Sequence, residues 1–275
     1  MTLTAELYGR YVELIYKKTG MWFENHKLYY VEKRLSERME ELNMTCYRDY
    51  YQFLKFSNDP AEMELLINRI TVNETYFFRD FPQLAGFAEA VLPLMVREKL
   101  ASGEKKLKIW SAGCSTGEEP YTLAIILLEM LPEPNEWKIE IQATDINTRV
   151  LAAARRGYYN SRSVKDVPPE YLERYFTRRL DMYLLNLNVR SMVNFKYLNL
   201  MDQKEMKDQV GFDFIFCRNV LIYFSNESRL KVLESYYRSL RSGGYVYLGH
   251  SESVGRITEA FKMRRIDGNI VYYKP

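Results

Sequence analysis

Ile109-Trp110-Ser111-Ala112-Gly113-Cys114-Ser115-Thr116-Gly117-Glu118-Glu119-Pro120 is an apolar strand (Leu107 to Trp110) that runs into a turn of small residues and opens an apolar helix (Tyr121 to Met130). Gly113 and Gly117 carry no Cβ, so backbone there can come close to a ligand. A phosphate site at a helix start offers bare N–H groups and positive charge. Here Glu118 and Glu119 stand in that place instead. Acidic groups favour a ligand rich in hydroxyls and amines or one carrying positive charge, which points to a sulfonium cofactor such as S-adenosylmethionine.

Outward from this turn, the C-terminal side alternates strand and helix. Strands are expected at 107–111, 138–144, 193–198, 212–217 and 244–249, with a closing pair at 261–266 and 270–274 around Asp267-Gly268; helices are expected at 118–130, 147–155 and 226–241. That rhythm predicts an α/β fold with a parallel sheet covered on both faces. Residues 157–192, with Val167-Pro168-Pro169 and an irregular polar stretch, break the alternation and read as an inserted subdomain. In an open sheet of this kind, ligands sit beyond the carboxyl ends of the strands. Asp145 ends the second strand and suits two ribose hydroxyls, or else caps the next helix, a task Asn147 can also perform. Asn199-Leu200 and Arg218-Asn219 end the third and fourth strands, able to present groups to an adenine edge or to serve as plain loop polarity.

Upstream, the first hundred residues read as helices. Thr4 caps one from Ala5 to about Lys18, which stops at Gly20. A second spans Lys27 to Leu42, with Leu28, Val31, Leu35 and Leu42 on one face. A third lies near Tyr47 to Phe56, and Asp59-Pro60 starts a fourth to Ile70. After Phe81-Pro82 another runs to about Leu100.

Composition bounds the rest. The chain has 275 residues, 47% hydrophobic and 27% charged, with a net charge of +3. These values describe a globular protein with a real core and do not indicate a nucleic-acid binder. Three scattered cysteines and two distant histidines make a disulfide framework, a metal centre or a histidine triad poor explanations. No secretory pattern opens the chain and no apolar run is long enough for a bilayer, so a cytoplasmic protein with no membrane insertion is expected. Nothing demands a dimer, and a monomer is expected.

Asn73-Glu74-Thr75-Tyr76-Phe77-Phe78-Arg79, the turn quoted above, Ala143-Thr144-Asp145-Ile146, Phe212 to Phe224 (Phe-Asp-Phe-Ile-Phe-Cys-Arg-Asn-Val-Leu-Ile-Tyr-Phe) and Gly249-His250-Ser251-Glu252 follow in that order. Together they resemble the chemotaxis receptor methyltransferases, the CheR family, over nearly the whole chain. The resemblance implies an N-terminal helical receptor-recognition domain (1–78), a linker helix (79–104) and a Rossmann-like methyltransferase domain (105–275) with a small antiparallel β subdomain inserted at about 160–192. It implies methyl transfer from S-adenosylmethionine to glutamates of methyl-accepting chemotaxis receptors, leaving S-adenosylhomocysteine. It further implies that Asn73, Thr75 and Arg79 reach the cofactor from between the domains and that the Gly113 turn approaches it. On the same basis Glu119 holds its amino-acid or ribose portion, Asp145 the ribose, and Asn199, Leu200, Arg218 and Asn219 the adenosine. Tyr223 then faces the reacting methyl, and the alternative for residues 73–79 is an aromatic hinge.

An ionised glutamate needs no general base to attack a sulfonium methyl, so alignment carries the catalysis. A tight Arg79 clamp on the acceptor carboxylate would orient it but blunt its nucleophilicity. Arg79 therefore suits the cofactor's carboxylate or loose steering, and Tyr223 orients the acceptor. Receptor methylation regions are acidic helices, and Lys27, Arg34 and Arg38 fall on one stripe of the second helix as a docking surface, or as a solvated flank. Family members that dock a receptor tail peptide use a glycine-containing loop; Thr177 to Asn194 contains no glycine, so no tail peptide is expected to be needed. The alternatives are a methyltransferase for a non-receptor acceptor and a catalytically silent cofactor-binding module.

Overall fold

The structure is a computed structural model that describes residues 2–56, 60–252, 258–266 and 269–275. Asp59, expected to cap the fourth helix, and the Asp267-Gly268 turn lie outside the described residues.

The N-terminal helices are α1 (Ala5–Thr19), α2 (Leu28–Glu41), α3 (Tyr47–Phe56) and α4 (Pro60–Ile70). The α1 helix starts where the Thr4 hydroxyl accepts the Leu7 N–H, and it ends on Gly20 at φ +73. A buried tyrosine cluster joins the bundle: Tyr11 lies edge-on to Tyr51 at 5.3 Å and donates its hydroxyl hydrogen to the Tyr47 carbonyl at 2.6 Å.

The stretch after Phe81 is not one plain helix. It comprises α5 (Phe81–Gly86), a wide π turn (Phe87–Val91) and α6 (Leu92–Ala101). The wide turn sets Phe87 edge-on to Phe214, Phe216 and Tyr247, with ring centroids 5.1, 5.2 and 5.6 Å away. The stretch is thus packed into the sheet as well as linking two parts of the chain.

The alternating part follows: β1 (Lys106–Ala112), α7 (Glu118–Met130), β2 (Lys138–Asp145), α8 (Thr148–Arg156), then β3 (Tyr158–Asn160), α9 (Pro169–Tyr175), β4 (Phe176–Arg179), β5 (Met182–Leu185) and α10 (Leu187–Arg190). The main sheet resumes with β6 (Val193–Tyr197), α11 (Gln203–Lys207), β7 (Phe212–Cys217), α12 (Asn226–Ser239), β8 (Leu240–Leu248), β9 (Lys262–Ile266) and β10 (Asn269–Tyr273). The seven-stranded sheet has the order β6-β2-β1-β7-β8-β10-β9. The first five strands are parallel, and β10 runs antiparallel to both β8 and β9. The inserted strands form a separate antiparallel sheet, β3-β5-β4.

One boundary differs from expectation. Strand β8 begins at Leu240, where a helix was expected to continue to 241, because Arg241 to Gly244 enter the ladder through a register shift opposite β7.

Alternation from Phe214 to Cys217, after the irregularity between Phe212 and Phe214, divides the core in two. Phe214 and Phe216 face a cluster with Phe87, the α7 side chains and the insert. Phe212, Ile215 and Cys217 face the other cluster, which is shared by α12 and the N-terminal helices. Both apolar layers meet at the carboxyl edge of the parallel strands.

Candidate functional site

Strand order reverses between β1 and β7, and the main cleft opens there, beyond the carboxyl ends of β1, β2, β6 and β7. Its walls include Asn73, Thr75 and Arg79 from the segment between the domains, Gly113 and Glu119 after β1, and Asp145 after β2. Asn199, Leu200, Arg218, Asn219 and Tyr223 complete it. The structure therefore brings together every residue carried over for the cofactor and the reaction. Thr19, Met21 and Phe23 also line it. Sequence reasoning missed these three; the Gly20 stop marked the end of a helix but not what faces it.

Local geometry explains the turn. Gly113 lies at φ +79, and a Cβ there would collide with Val220 Cγ2. The Gly113 and Cys114 N–H groups donate to the Thr144 carbonyl at 2.8 and 2.9 Å, folding the turn back onto β2. Asp145 locks it from the other side: Oδ2 accepts the Ser115 N–H at 2.8 Å and Oδ1 the Asn147 N–H at 2.9 Å. Asn147, not Asp145, caps α8, accepting from the Arg149 and Val150 N–H groups. Burial raises the Asp145 carboxyl above its ordinary value despite these donors.

The two acids at the start of α7 part ways. Glu118 is buried and accepts from the Thr116 hydroxyl at 2.6 Å. Glu119 faces the cleft, where Oε1 accepts from Ser111 Oγ at 2.7 Å and Oε2 lies 3.5 Å from Arg218 Nη1. Burial raises Glu119 as well, with Arg218 and Ser111 opposing.

Arg218 is buried between Glu119 and Asp80, 3.4 Å away, and donates from Nη2 to the Arg79 carbonyl. Its Nε is buried without a partner among the described residues. Arg79 is half-buried at the cleft, 5.8 Å from the Tyr76 ring, with Nη1 donating to the Glu74 carbonyl at 2.9 Å. The Asn73 side chain turns to the Thr71 carbonyl at 3.1 Å, while its own carbonyl accepts from Ser115 Oγ at 3.0 Å.

Of the adenosine candidates, Asn199 has its side chain engaged elsewhere and Asn219 its backbone N–H. Asn199 Nδ2 donates to the Lys18 carbonyl at 2.6 Å, and its Oδ1 accepts the Met201 N–H, so this side chain ties α1 to the sheet. The Asn219 N–H is taken by Glu252 at 3.0 Å. Glu252 went unassigned in the sequence, although the Gly249-His250-Ser251-Glu252 signature at a strand end was visible. Tyr223 is half-buried in the cleft wall, and burial raises its hydroxyl, which therefore stays protonated at neutral pH and can donate.

The basic stripe is not a uniform free surface. Lys27 precedes α2 and is exposed. Arg34 pairs with Glu37 at 3.1 Å and lies over Tyr30 at 5.2 Å. Arg38 is buried: its guanidinium holds Glu62, at 3.0 and 2.5 Å, and Glu41. Arg38 shares the inward side with Val31 and Leu35, so it serves the bundle and is corrected as a docking residue.

Residues 73–270 match the family model described as CheR methyltransferase, SAM binding domain, and residues 6–71 match CheR methyltransferase, all-alpha domain. The chain is 42% identical to chemotaxis protein methyltransferase 2 of Vibrio cholerae over 100% of this chain and 95% of that protein. Identity is 35% to the chemotaxis protein methyltransferase of Escherichia coli, covering 99% and 92%. It is 34% to that of Borreliella burgdorferi, covering 92% and 90%.

The side chains present fit S-adenosylmethionine. Two cleft carboxylates held above their ordinary values gain from a cationic, hydroxyl-bearing ligand, and the orphaned Arg218 Nε offers a donor to an acceptor group.

Proposed function

Because the chain belongs to the CheR methyltransferase family, we propose that it methylates glutamate side chains of methyl-accepting chemotaxis receptors, using S-adenosylmethionine as donor, in the cytoplasm and as a monomer. The observation that carries this reading is a cleft that is acidic inside, at Glu119 and Asp145, and bears Arg79 and a protonated Tyr223 in its wall. Such a site holds a cation within and receives a carboxylate from outside.

The bound donor supplies an electrophilic methyl on a positively charged sulfur. The chain supplies alignment, which is worth on the order of 7–11 kcal/mol in favourable cases. Asp145 and Glu119 hold the hydroxyl and amine groups of the donor. The Tyr223 hydroxyl donates one hydrogen bond to the incoming carboxylate, fixing its direction with less loss of nucleophilicity than a guanidinium fork. Arg79, already committed in part to the Glu74 carbonyl, steers the acceptor or neutralises the donor's carboxylate. No proton has to move before the displacement.

An acidic receptor helix would meet Lys27 and Arg34 on the helical half. No receptor tail peptide is required in this reading: β4 and β5 are joined by the two-residue turn Leu180-Asp181, with no glycine in the loop. The test is transfer of labelled methyl to receptor-containing membranes. Base-labile label on receptor is the expected result. Label on another protein, or none with donor still bound, overturns the assignment.

A further inference from the structure

Gly249 to Glu252 follow β8, and Glu252 accepts three main-chain N–H groups. Oε2 takes those of Gly249 at 2.7 Å and Asn219 at 3.0 Å, and Oε1 takes that of Ile222 at 3.1 Å. Two of these donors belong to the 218–223 turn between β7 and α12, which carries Arg218 and Tyr223. That turn needs an outside anchor. Asn219 sits at φ +61, where a residue with a Cβ is held only by its surroundings. Ile222 is the second residue of the short 3₁₀ segment Leu221–Tyr223, whose first N–H groups find no acceptor within it. A carboxylate placed there satisfies the donors and complements their partial positive charge.

The strand end is shaped for this contact. A Cβ on Gly249 would stand 2.9 Å from Glu252 Oε2 and 3.0 Å from the Asn219 nitrogen, so glycine is what lets the two segments meet. The next residue, His250, pairs through Nε2 with Asp80 at 2.6 Å, beside Arg218. Glu252 itself does not line the cleft, so it acts through the turn it holds.

We propose that Glu252 is a positioning residue for methyl transfer, setting the 219–222 backbone so that the Tyr223 hydroxyl meets the acceptor carboxylate. The inference rests on the reading of Tyr223 given above. The test compares full-length wild type, Glu252→Gln, Tyr223→Phe and the double variant in methyl transfer to receptor membranes, with S-adenosylhomocysteine affinity by calorimetry. Glutamine matches the shape of Glu252, but its amide nitrogen cannot accept an N–H.

Glu252→Gln is expected to lower kcat at least about tenfold with receptor KM within about twofold. The double variant should be no slower than the slower single within about twofold, because both changes remove one interaction. Wild-type kcat in Glu252→Gln beside a slow Tyr223→Phe overturns the proposal, and so do losses that multiply in the double. Wild-type kcat in Tyr223→Phe overturns the reading of Tyr223 and the proposal with it. Should Glu252→Gln not be recovered folded, Glu252→Asp replaces it. Its shorter arm reaches only one of the two turn amides, and the same kcat loss is expected.

Discussion

Asp145 fixes the turn at the cleft and is also the residue proposed to hold the ribose. Its two oxygens hold the Ser115 and Asn147 N–H groups, so the first and second strand ends are fixed relative to each other before any ribose is engaged. Asp145→Asn replaces one acceptor with a donor and removes the charge. S-adenosylhomocysteine affinity by calorimetry should weaken about tenfold to a hundredfold, the range of a charge-assisted hydrogen bond.

Glu119 adds a pH dependence. Its carboxyl is raised from the ordinary 4.5 by burial, so in the free protein it takes up a proton at higher pH than an exposed glutamate. Below the raised value the charge that attracts a sulfonium is lost. Affinity for S-adenosylmethionine should therefore fall as pH drops through that value, and Glu119→Gln should flatten the profile. Stability of the free protein runs the other way: a raised carboxyl contributes fully below the unfolded value, and that contribution disappears as pH rises through the folded one. The melting temperature of the free protein against pH checks the sign. The position of Asp145 at the cleft was legible from its place at a strand end. Glu252 was not, because a glutamate after Gly-His-Ser carries no sign of which distant amides it will meet.

At the scale of elements, α2 separates two arginines that periodicity set side by side. Arg38 and Glu62 form a buried pair joined by the Tyr50 hydroxyl at 2.7 Å. Arg38→Ala strands the Glu62 charge and should cost about 3–5 kcal/mol in urea unfolding. Arg34→Glu leaves the core in place and should raise receptor KM with donor affinity unchanged; an unaltered KM removes α2 as the docking face. The α2 pattern announced a helix plainly, yet an arginine beside Val31 and Leu35 reads as a flank until its carboxylate partner from another helix is seen. The strand-turn-helix unit from Leu107 to Met130 was the most legible element, since apolar run, glycine turn and apolar helix each have one structural use. The π turn at Phe87–Val91 left no mark in the periodicity, because three aromatic rings of the sheet, not local propensity, fix it.

For the molecule as a whole, the N-terminal helices are a wall of the cleft as well as a platform. Asn199 grips the Lys18 carbonyl, Asn147 donates to the Asn68 carbonyl at 3.0 Å, and the Met21–Phe224 bridge crosses between the two parts. Residues 72–275 alone would expose the apolar layer under α1 and lose Thr19, Met21 and Phe23 from the site. That fragment should bind S-adenosylhomocysteine at least about tenfold more weakly than the full chain by calorimetry.

The shared wall has a thermodynamic corollary. If docking of the helical half strengthens donor binding by some factor, a loaded donor must strengthen that docking by the same factor. A partner that grips the helices in their docked position would by the same rule bind a chain with its cleft filled more tightly than an empty one.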